Sequence, residues 1–197
     1  MKKLLIFDFD GVVEDSFELS FKFFKEQFDT LTHDDYRSWF DGNFYKTIKE
    51  KNIPIDINLY YENYAAALKE RIIAPEMKKV LIRLNKIFSL SIVSSSHDDA
   101  INEYLQRNNI EGLFDQVWGV NKHASKVEKL EGLISEHSIP KEDCYFITDT
   151  LGDIRESNEV GIKAIAVTWG FHPRERLEQG HPAVIVDTPQ ELLDFLL

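Results

Sequence analysis

The sequence predicts an α/β fold, a doubly wound, Rossmann-like parallel sheet core with a small all-helical cap domain inserted after its first strand. Three observations predict this fold. Five short apolar runs end abruptly at a polar residue, which is typical of strands buried on both faces of a parallel sheet. Helical patterns alternate with these runs, as in a sheet wound by crossover helices. The segment 14–74, in contrast, contains helical patterns and no convincing strand.

The predicted strands and helices of the core have recognisable ends. The strands cover residues 3–7, 90–93, 144–147, 164–167 and 183–186. Pro75 suits a first helical turn, Ser125 and Thr188 open capping boxes, and Gly161 is a natural C-cap. These signals predict helices over residues 76–87, 98–107, 126–136 and 153–160, and a last helix after Thr188.

The inserted segment is predicted to form a lid over the strand ends. Helical patterns cover residues 16–28, 34–40, 44–51 and 58–73, with a turn at Asp41-Gly42-Asn43. The predicted organisation is therefore an α/β core of residues 1–13 and 75–197 and a helical cap of residues 14–74. The aromatic residues of the cap are interpreted chiefly as its packing core, and the alternative is that they line a substrate site.

Composition limits the classes of function. The 197 residues are 43% hydrophobic, as in a globular protein, and the formal net charge is -11. Such a charge disfavours nucleic acid and anionic membranes as partners, and a phosphorylated metabolite would need a metal or a local positive site. Cys144 is the only cysteine, which suits a reducing compartment, and no run approaches the length of a membrane span. Residues 1–9 are interpreted as a strand rather than a signal peptide, so a cytoplasmic location is expected. The oligomeric state is left open.

Polar side chains that follow the predicted strands form the candidate site. Asp8 and Asp10 follow the first strand, Ser94 the second, and Asp149 a later one. Because ligands bind beyond the carboxyl ends of such strands, these side chains should meet. Carboxylates that lie so close together need protons or a metal, and their oxygen atoms suit Mg²⁺. Lys126 would add a positive charge at a helix N-terminus, which itself favours anions.

These residue types suit phosphoryl transfer. A carboxylate such as Asp8 can attack phosphorus to form an aspartyl-phosphate, and Asp10 can protonate the leaving group and then activate water. The hydroxyl of Ser94, with that of Ser95 as a less certain neighbour, can bind a phosphoryl oxygen. Lys126 is preferred to Lys122 as the cation of the site.

The motifs Asp8-Phe9-Asp10-Gly11-Val12-Val13, Ser94, Lys126 and Asp149-Thr150-Leu151-Gly152-Asp153 resemble, in this order, the four motifs of the haloacid dehalogenase superfamily. The inserted segment lies where that superfamily carries its C1 caps, and the region from Trp169 onward resembles phosphoglycolate-phosphatase-like members. The resemblance implies that Asp8 is the nucleophile and Asp10 the acid/base. It also implies that the Asp8 and Asp149 carboxylates and the Asp10 backbone carbonyl hold Mg²⁺, with Asp153 orienting metal-bound water.

The predicted function is a Mg²⁺-dependent phosphatase that acts on a small phosphomonoester. A phosphomutase of the β-phosphoglucomutase type is the main alternative, because Val12 stands where many of these phosphatases carry Thr and some mutases carry Val. Thr148 is a second departure, from the usual Gly. A dehalogenase would not need Asp10 or Asp149, and a non-catalytic phosphate- or metal-binding module would not need every catalytic position.

Other polar residues have two interpretations. Arg37, Asn43 and Lys46 flank the turn of the cap, so they either contact the non-phosphate end of a substrate or belong to the solvated surface. His172 and the run Arg174-Glu175-Arg176 are interpreted as a solvated loop.

Overall fold

The computed structural model describes residues 2–123 and 125–197. Six strands form one parallel sheet in the order β3-β2-β1-β4-β5-β6, with helices in the connections between them. The predicted α/β fold class is therefore confirmed. The strands are β1 Leu4–Phe7, β2 Ser89–Val93, β3 Gln116–Trp118, β4 Cys144–Thr148, β5 Lys163–Val167 and β6 Val184–Val186.

The α-helices alternate with the strands after the inserted segment. The inserted helices are α1 Phe17–Gln27, α2 His33–Ser38, α3 Phe44–Glu50 and α4 Ile57–Leu68. The remaining helices are α5 Pro75–Asn85, α6 Asp98–Arg107, α7 Lys126–His137, α8 Leu151–Val160, α9 Arg174–Leu177 and α10 Pro189–Leu196. None of the helices in the described part of the chain has the length and hydrophobicity that a membrane crossing requires.

The central strand β1 is fully buried because both of its faces are covered. Leu5 and Phe7 belong to one hydrophobic cluster, whereas Leu4 and Ile6 belong to another that includes Leu130 of α7. Side chains of a strand alternate between the two faces of the sheet, so this division follows directly from the run of apolar residues.

Strand β3 was not among the predicted strands. Its three residues, Gln116, Val117 and Trp118, are half-buried, and they pair in parallel with Ser91, Ile92 and Val93 of β2. A three-residue edge strand with a polar first residue has no continuous apolar run, so its position depends on pairing with β2 rather than on local pattern.

Helices α1–α4 form an aromatic layer over the strand ends. Phe24 of α1 stacks on Tyr60 of α4, with ring centroids 4.1 Å apart, and Trp39 and Tyr64 are also buried. These contacts agree with the interpretation of the aromatic residues as packing groups. The division of the chain into a core and a separate cap domain stays a prediction.

The two chain segments that lead into and out of the inserted helices are tied together. The buried Glu14 carboxylate accepts hydrogen bonds from Arg71 Nε at 2.5 Å and from the Tyr104 hydroxyl at 2.7 Å. Arg71 also donates to the carbonyl of Asp15 at 2.8 Å. Because Tyr104 belongs to α6 of the core, this network fixes the base of the inserted segment against the sheet.

Candidate active site

The sheet order brings the ends of three strands together. Strand β1 lies between β2 and β4, and Phe7 pairs with both Ile92 and Ile147. The residues that follow these strands therefore reach the same edge of the sheet. Asp8 and Asp149 are both buried there.

Lys126 is the buried cation of the site. Its Nζ atom lies 2.6 Å from Asp8 Oδ2 and 2.7 Å from Asp153 Oδ2. Burial lowers the pKa of Lys126, but the charges of Asp153 and Asp8 outweigh this effect and raise the pKa above its ordinary value. Lys126 therefore carries a full positive charge over the whole physiological pH range.

Asp153 is the best stabilised carboxylate of the group. Burial raises its pKa, but the charge of Lys126 and the hydrogen bonds that Asp153 accepts outweigh burial and lower the pKa. The hydroxyl of Thr148 donates one of these bonds at 2.7 Å. Thr148, the departure from the usual Gly, thus supplies a hydrogen bond that Gly lacks.

Three buried carboxylates form a cluster that fits a cation. One carboxylate oxygen from each of Asp8, Asp149 and Asp153 lies within 4.8 Å of the other two. Asp149 Oδ2 accepts a hydrogen bond from the Phe171 amide at 2.7 Å, whereas buried Asp149 Oδ1 has no partner among the described residues. An unpaired buried carboxylate oxygen is costly, and a divalent cation with oxygen ligands would satisfy it.

The pKa values of this cluster show the cost of its negative charge. Burial raises the pKa of Asp149 to about 8, and the charge of Asp153 adds to this effect. Burial also raises the pKa of Asp8 well above its ordinary value, and the Lys126 charge offsets it only in part. Both carboxyl groups consequently gain from a cation, which favours their ionised forms.

Two glycines allow the backbone to approach the Asp149 carboxylate. A Cβ atom at Gly11 would lie 1.9 Å from Asp149 Oδ2, and one at Gly170 would lie 2.2 Å from the same oxygen. Gly11 also has a φ of +74°, which side chains disfavour. The space beside Asp149 is therefore closed to any larger residue.

The carboxylate of Asp10 is separate from the cation cluster. Its oxygens accept hydrogen bonds from Ser96 Oγ at 2.7 Å, Ser16 Oγ at 2.9 Å and Ser94 Oγ at 3.4 Å, and from the hydroxyl of Tyr64. Ser16 and Tyr64 belong to the inserted segment or its entry, so the position of Asp10 is linked to that segment.

The loop after β2 carries three serines with different surroundings. Ser94 is fully buried, and Ser96 contacts Asp10 more closely than Ser94 does. The backbone carbonyl of Ser95 accepts hydrogen bonds at 2.8 Å from the hydroxyls of Tyr45 and Tyr61. Ser95 and Ser96 both line the cavity described next, and the sequence pattern did not predict Ser96 as a site residue.

A cavity of about 50 Å³ lies between the inserted helices and the strand ends. Asp8, Asp10 and Lys126 form its core wall, with Asp153 and Glu156 of α8 beside them. The opposite wall is aromatic and consists largely of Phe24, Tyr36, Phe40, Phe44, Tyr60 and Tyr61. The candidate catalytic groups therefore face a space that the inserted helices line on the opposite side.

Of the three candidate contacts in the cap, only Asn43 lines the cavity. Lys46 is exposed and lies 3.8 Å from Glu50, one helical turn away. Arg37 Nε donates to the Phe171 carbonyl at 2.8 Å, and the guanidinium lies over the ring of Phe17. Arg37 and Lys46 do not line the cavity and are directed to other partners, so a contact of either residue with substrate stays a prediction without support from this geometry.

The interpretation of His172 and the run Arg174-Glu175-Arg176 as a solvated loop is wrong, although Glu175 is exposed. His172 is 1% exposed, and its Nδ1 accepts a hydrogen bond from the Leu151 amide at 2.9 Å. Its Nε2 lies 2.9 Å from the Arg37 carbonyl, and burial lowers the pKa of His172 to about 4. Arg176, in helix α9, donates to both carboxylate oxygens of Asp41 at 2.6 and 2.7 Å. This segment joins the core to the turn of the inserted helices.

Lys129 is a second buried lysine, which was not among the residues predicted from the sequence. Its ammonium donates to the backbone carbonyls of Ser94 and, at 3.4 Å, Gly119. Burial and the nearby charge of Lys126 lower the pKa of Lys129 to about 8. Lys129 follows Lys126 by three positions and so shares its helix face, which is the signal that would have identified it.

Comparison with known proteins adds family evidence to this geometry. Residues 5–167 match the family model of the haloacid dehalogenase-like hydrolases, a range that includes every candidate catalytic residue. The chain belongs to this family. The resemblance of its motifs to the superfamily is thereby confirmed, and the family includes enzymes named as phosphatases among the relatives described next.

Curated relatives of this haloacid dehalogenase-like chain include phosphoglycolate phosphatases. The one from Synechococcus elongatus is 30% identical over 120 residues, which are 60% of this chain and 57% of the relative. The one from Aliivibrio fischeri is 25% identical over 126 residues, 62% of this chain and 56% of the relative. The chain thus matches these relatives over less than two thirds of their length.

Solved structures of similar fold cover nearly the whole chain. A haloacid dehalogenase-like hydrolase from Streptococcus pneumoniae has a TM-score of 0.82 at 20% identity, covering 100% of this chain and 99% of its own. CbbY from Rhodobacter sphaeroides, solved in complex with phosphate, has a TM-score of 0.79 at 17% identity, with 98% and 96% covered. At these identities the similarity is one of fold.

Proposed function

We propose that the protein is a Mg²⁺-dependent phosphatase that hydrolyses a small-molecule phosphomonoester through an aspartyl-phosphate on Asp8. The observation that carries this proposal is the buried Asp8 carboxylate at the cavity wall, held by Lys126 at 2.6 Å beside the unpaired oxygen of Asp149. A non-catalytic binding module would have no need for a nucleophile and an acid/base on one wall of a cavity.

In the proposed reaction, a carboxylate oxygen of Asp8 attacks the phosphorus while the ester oxygen leaves. The Phe9 amide donates to Asp8 Oδ1 at 2.7 Å and Lys126 binds Oδ2, so the carboxylate is held in a fixed orientation. Asp10 gives its proton to the leaving alkoxide and then takes one from the water that hydrolyses the aspartyl-phosphate. The serine and tyrosine hydroxyls around Asp10 keep its carboxyl group in place.

The carboxylates of Asp8 and Asp149 would hold Mg²⁺, with the Asp10 backbone carbonyl as the ligand that the family resemblance adds. When bound, the ion would neutralise charge on the transferring phosphoryl group. Asp153 contacts Lys126 and Thr148, and in this proposal it holds Lys126 in position.

The phosphomutase alternative has less support. A mutase must hold a bisphosphate intermediate, so it needs a second site of positive charge for the far phosphate. Among the described residues that line the cavity, Lys126 is the only lysine or arginine. We also propose a small phosphorylated metabolite as the ligand and, from the single cysteine Cys144, a location in the cytoplasm.

Hydrolysis of p-nitrophenyl phosphate tests the proposal. We expect activity to need Mg²⁺, to disappear with EDTA, and to fall at least about a thousandfold in Asp8→Asn, because an amide cannot replace the carboxylate nucleophile. Asp15→Asn is the matched control, since Asp15 is exposed in the same segment. Undiminished hydrolysis by Asp8→Asn would refute the mechanism.

A further inference from the structure

The far wall of the cavity has no positive charge to offer a substrate. Lys126 belongs to the core wall, where it is already bound by Asp8 and Asp153. The inserted helices contribute aromatic rings and the hydroxyls of Ser20, Tyr36 and Tyr60. Within the described part of the chain, no lysine or arginine of these helices lines the cavity.

The hydroxyls of the far wall form an uncharged hydrogen-bonded chain. Tyr36 donates to Ser20 Oγ at 2.6 Å, and Ser20 Oγ lies 2.7 Å from the Tyr60 hydroxyl. Burial raises the pKa values of Tyr36 and Tyr60 well above the ordinary value of a tyrosine, so both hydroxyls remain protonated. Groups of this kind can exchange hydrogen bonds with an alcohol, but they do not neutralise an anion.

Glu156 adds a carboxyl group to the same cavity, and burial and the charge of Asp153 raise its pKa. It follows Asp153 by three positions on α8 and lines the cavity together with Asn43. Asn43 Nδ2 donates to Glu156 Oε1 at 3.1 Å, and Asn43 Oδ1 accepts from the backbone amide of Lys46 at 3.1 Å. Asn43 is thereby directed to protein partners, and a substrate carboxylate nearby would face a like charge.

We propose that the site selects phosphomonoesters of small uncharged alcohols, and that Glu156 is the residue that discriminates against anionic leaving groups. This inference rests on the phosphatase activity proposed above and specifies its substrate class. The reaction is hydrolysis: the ester oxygen–phosphorus bond breaks, a water oxygen bonds to phosphorus, and the alcohol leaves with a proton. The substrate class differs from that of the relatives named as phosphoglycolate phosphatases, because the leaving group of phosphoglycolate carries a carboxylate.

The small cavity supports a small leaving group. A volume of about 50 Å³ has room for a few water-sized groups, since about 10–15 Å³ suffices for one. A compact alcohol therefore fits this space better than a bulky one. Rejection of an anion by a fixed like charge is a recognised source of specificity.

A size-matched pair of substrates tests the proposal. 2-Hydroxyethyl phosphate and 2-phosphoglycolate differ only in having a hydroxymethyl group or a carboxylate at the end of the leaving group. With Mg²⁺ present, we expect kcat/KM to favour 2-hydroxyethyl phosphate by at least about tenfold, since juxtaposed like charges cost several kcal/mol. Equal or better hydrolysis of 2-phosphoglycolate, abolished by Asp8→Asn, would overturn the substrate class and leave the phosphatase intact.

The role of Glu156 has its own test. Glu156→Gln keeps an oxygen that can accept from Asn43 and removes the charge, so we expect the preference between the two esters to fall several-fold, mainly through better use of 2-phosphoglycolate. Glu159→Gln is the matched control, because Glu159 is exposed on the same helix. An unchanged preference in Glu156→Gln would overturn the assignment of Glu156. Absence of Asp8-dependent hydrolysis of either ester would overturn the phosphatase function and this inference together.

Discussion

Replacement of Lys126 by Met tests the electrostatics of the site through stability rather than activity. The methionine keeps most of the length of the side chain but removes the ammonium that contacts Asp8 and Asp153 at 2.6 and 2.7 Å. Both carboxylates are buried, so they would lose their compensating charge. Removing one partner of a buried ion pair typically costs 3–5 kcal/mol, and we expect a loss of about 4 kcal/mol in the free energy of unfolding.

The assay is urea unfolding in EDTA at neutral pH, followed by circular dichroism. For a chain of this size, each kcal/mol corresponds to a shift of about 2–4 °C in Tm, so a thermal scan should fall by roughly 10 °C. Lys122→Met is the matched control. Lys122 is exposed, with its ammonium over the ring of Trp118, and we expect an effect below about 1 kcal/mol.

The dependence on pH separates lost charge compensation from lost packing. The pKa of Asp153 is lowered in the folded protein, so its contribution to stability is present above the unfolded value and is lost as pH falls through the folded value. The pKa of Lys126 is raised in the folded protein, so its contribution to stability is fully present below the pKa of lysine in the unfolded chain. The deficit of Lys126→Met should therefore be largest near neutral pH and shrink in acid. A loss below about 1 kcal/mol, or an equal loss at pH 7 and in acid, would refute this account.

Two further predictions concern Asp149 and His172. Mg²⁺ at one hundred times its Kd should stabilise the folded protein by about 2.7 kcal/mol and so raise its Tm. Asp149→Asn should remove most of this rise in a thermal shift assay. An unchanged response would exclude Asp149 as a ligand. The pKa of His172 is lowered to about 4 in the folded protein, against about 6.5 in the unfolded chain. Its contribution to stability is therefore fully present above pH 6.5 and is lost as pH falls towards 4. The total loss in the free energy of unfolding should be about 3 kcal/mol. His172→Gln should lose this pH dependence in urea unfolding, and titration of His172 near 6.5 by NMR would contradict it.

The position of the candidate site could be predicted because it depends on short-range pattern. Strands β1 and β4 are continuous apolar runs, and Asp8 and Asp149 directly follow them. In a parallel sheet such ends share one edge, so their meeting follows from fold class alone. The choice of Lys126 over Lys122 also followed from its place at the start of a helix, and the two lysines are respectively buried and exposed.

Other features could not be predicted because they depend on contacts between distant segments. The burial of His172 requires the Arg37 carbonyl, which is 135 positions away in sequence. The bond from Tyr64 to Asp10 likewise joins the fourth inserted helix to the first strand end. Such contacts leave no periodic signal, and the aromatic content of the inserted segment indicates only that it is packed.

The charges of the site constrain what it can bind. Asp8, Asp149 and Asp153 bring three carboxylates into one buried cluster, and within the described residues Lys126 is the one cation that forms an ion pair with any of them. One ammonium against three carboxylates leaves two negative charges, which is the charge that a divalent cation neutralises. Without such an ion, the excess negative charge is felt most by Asp8 and Asp149, whose pKa values are raised. These are the two carboxylates that the family resemblance assigns to the metal. Asp153, which Lys126 and Thr148 already stabilise, needs the ion least.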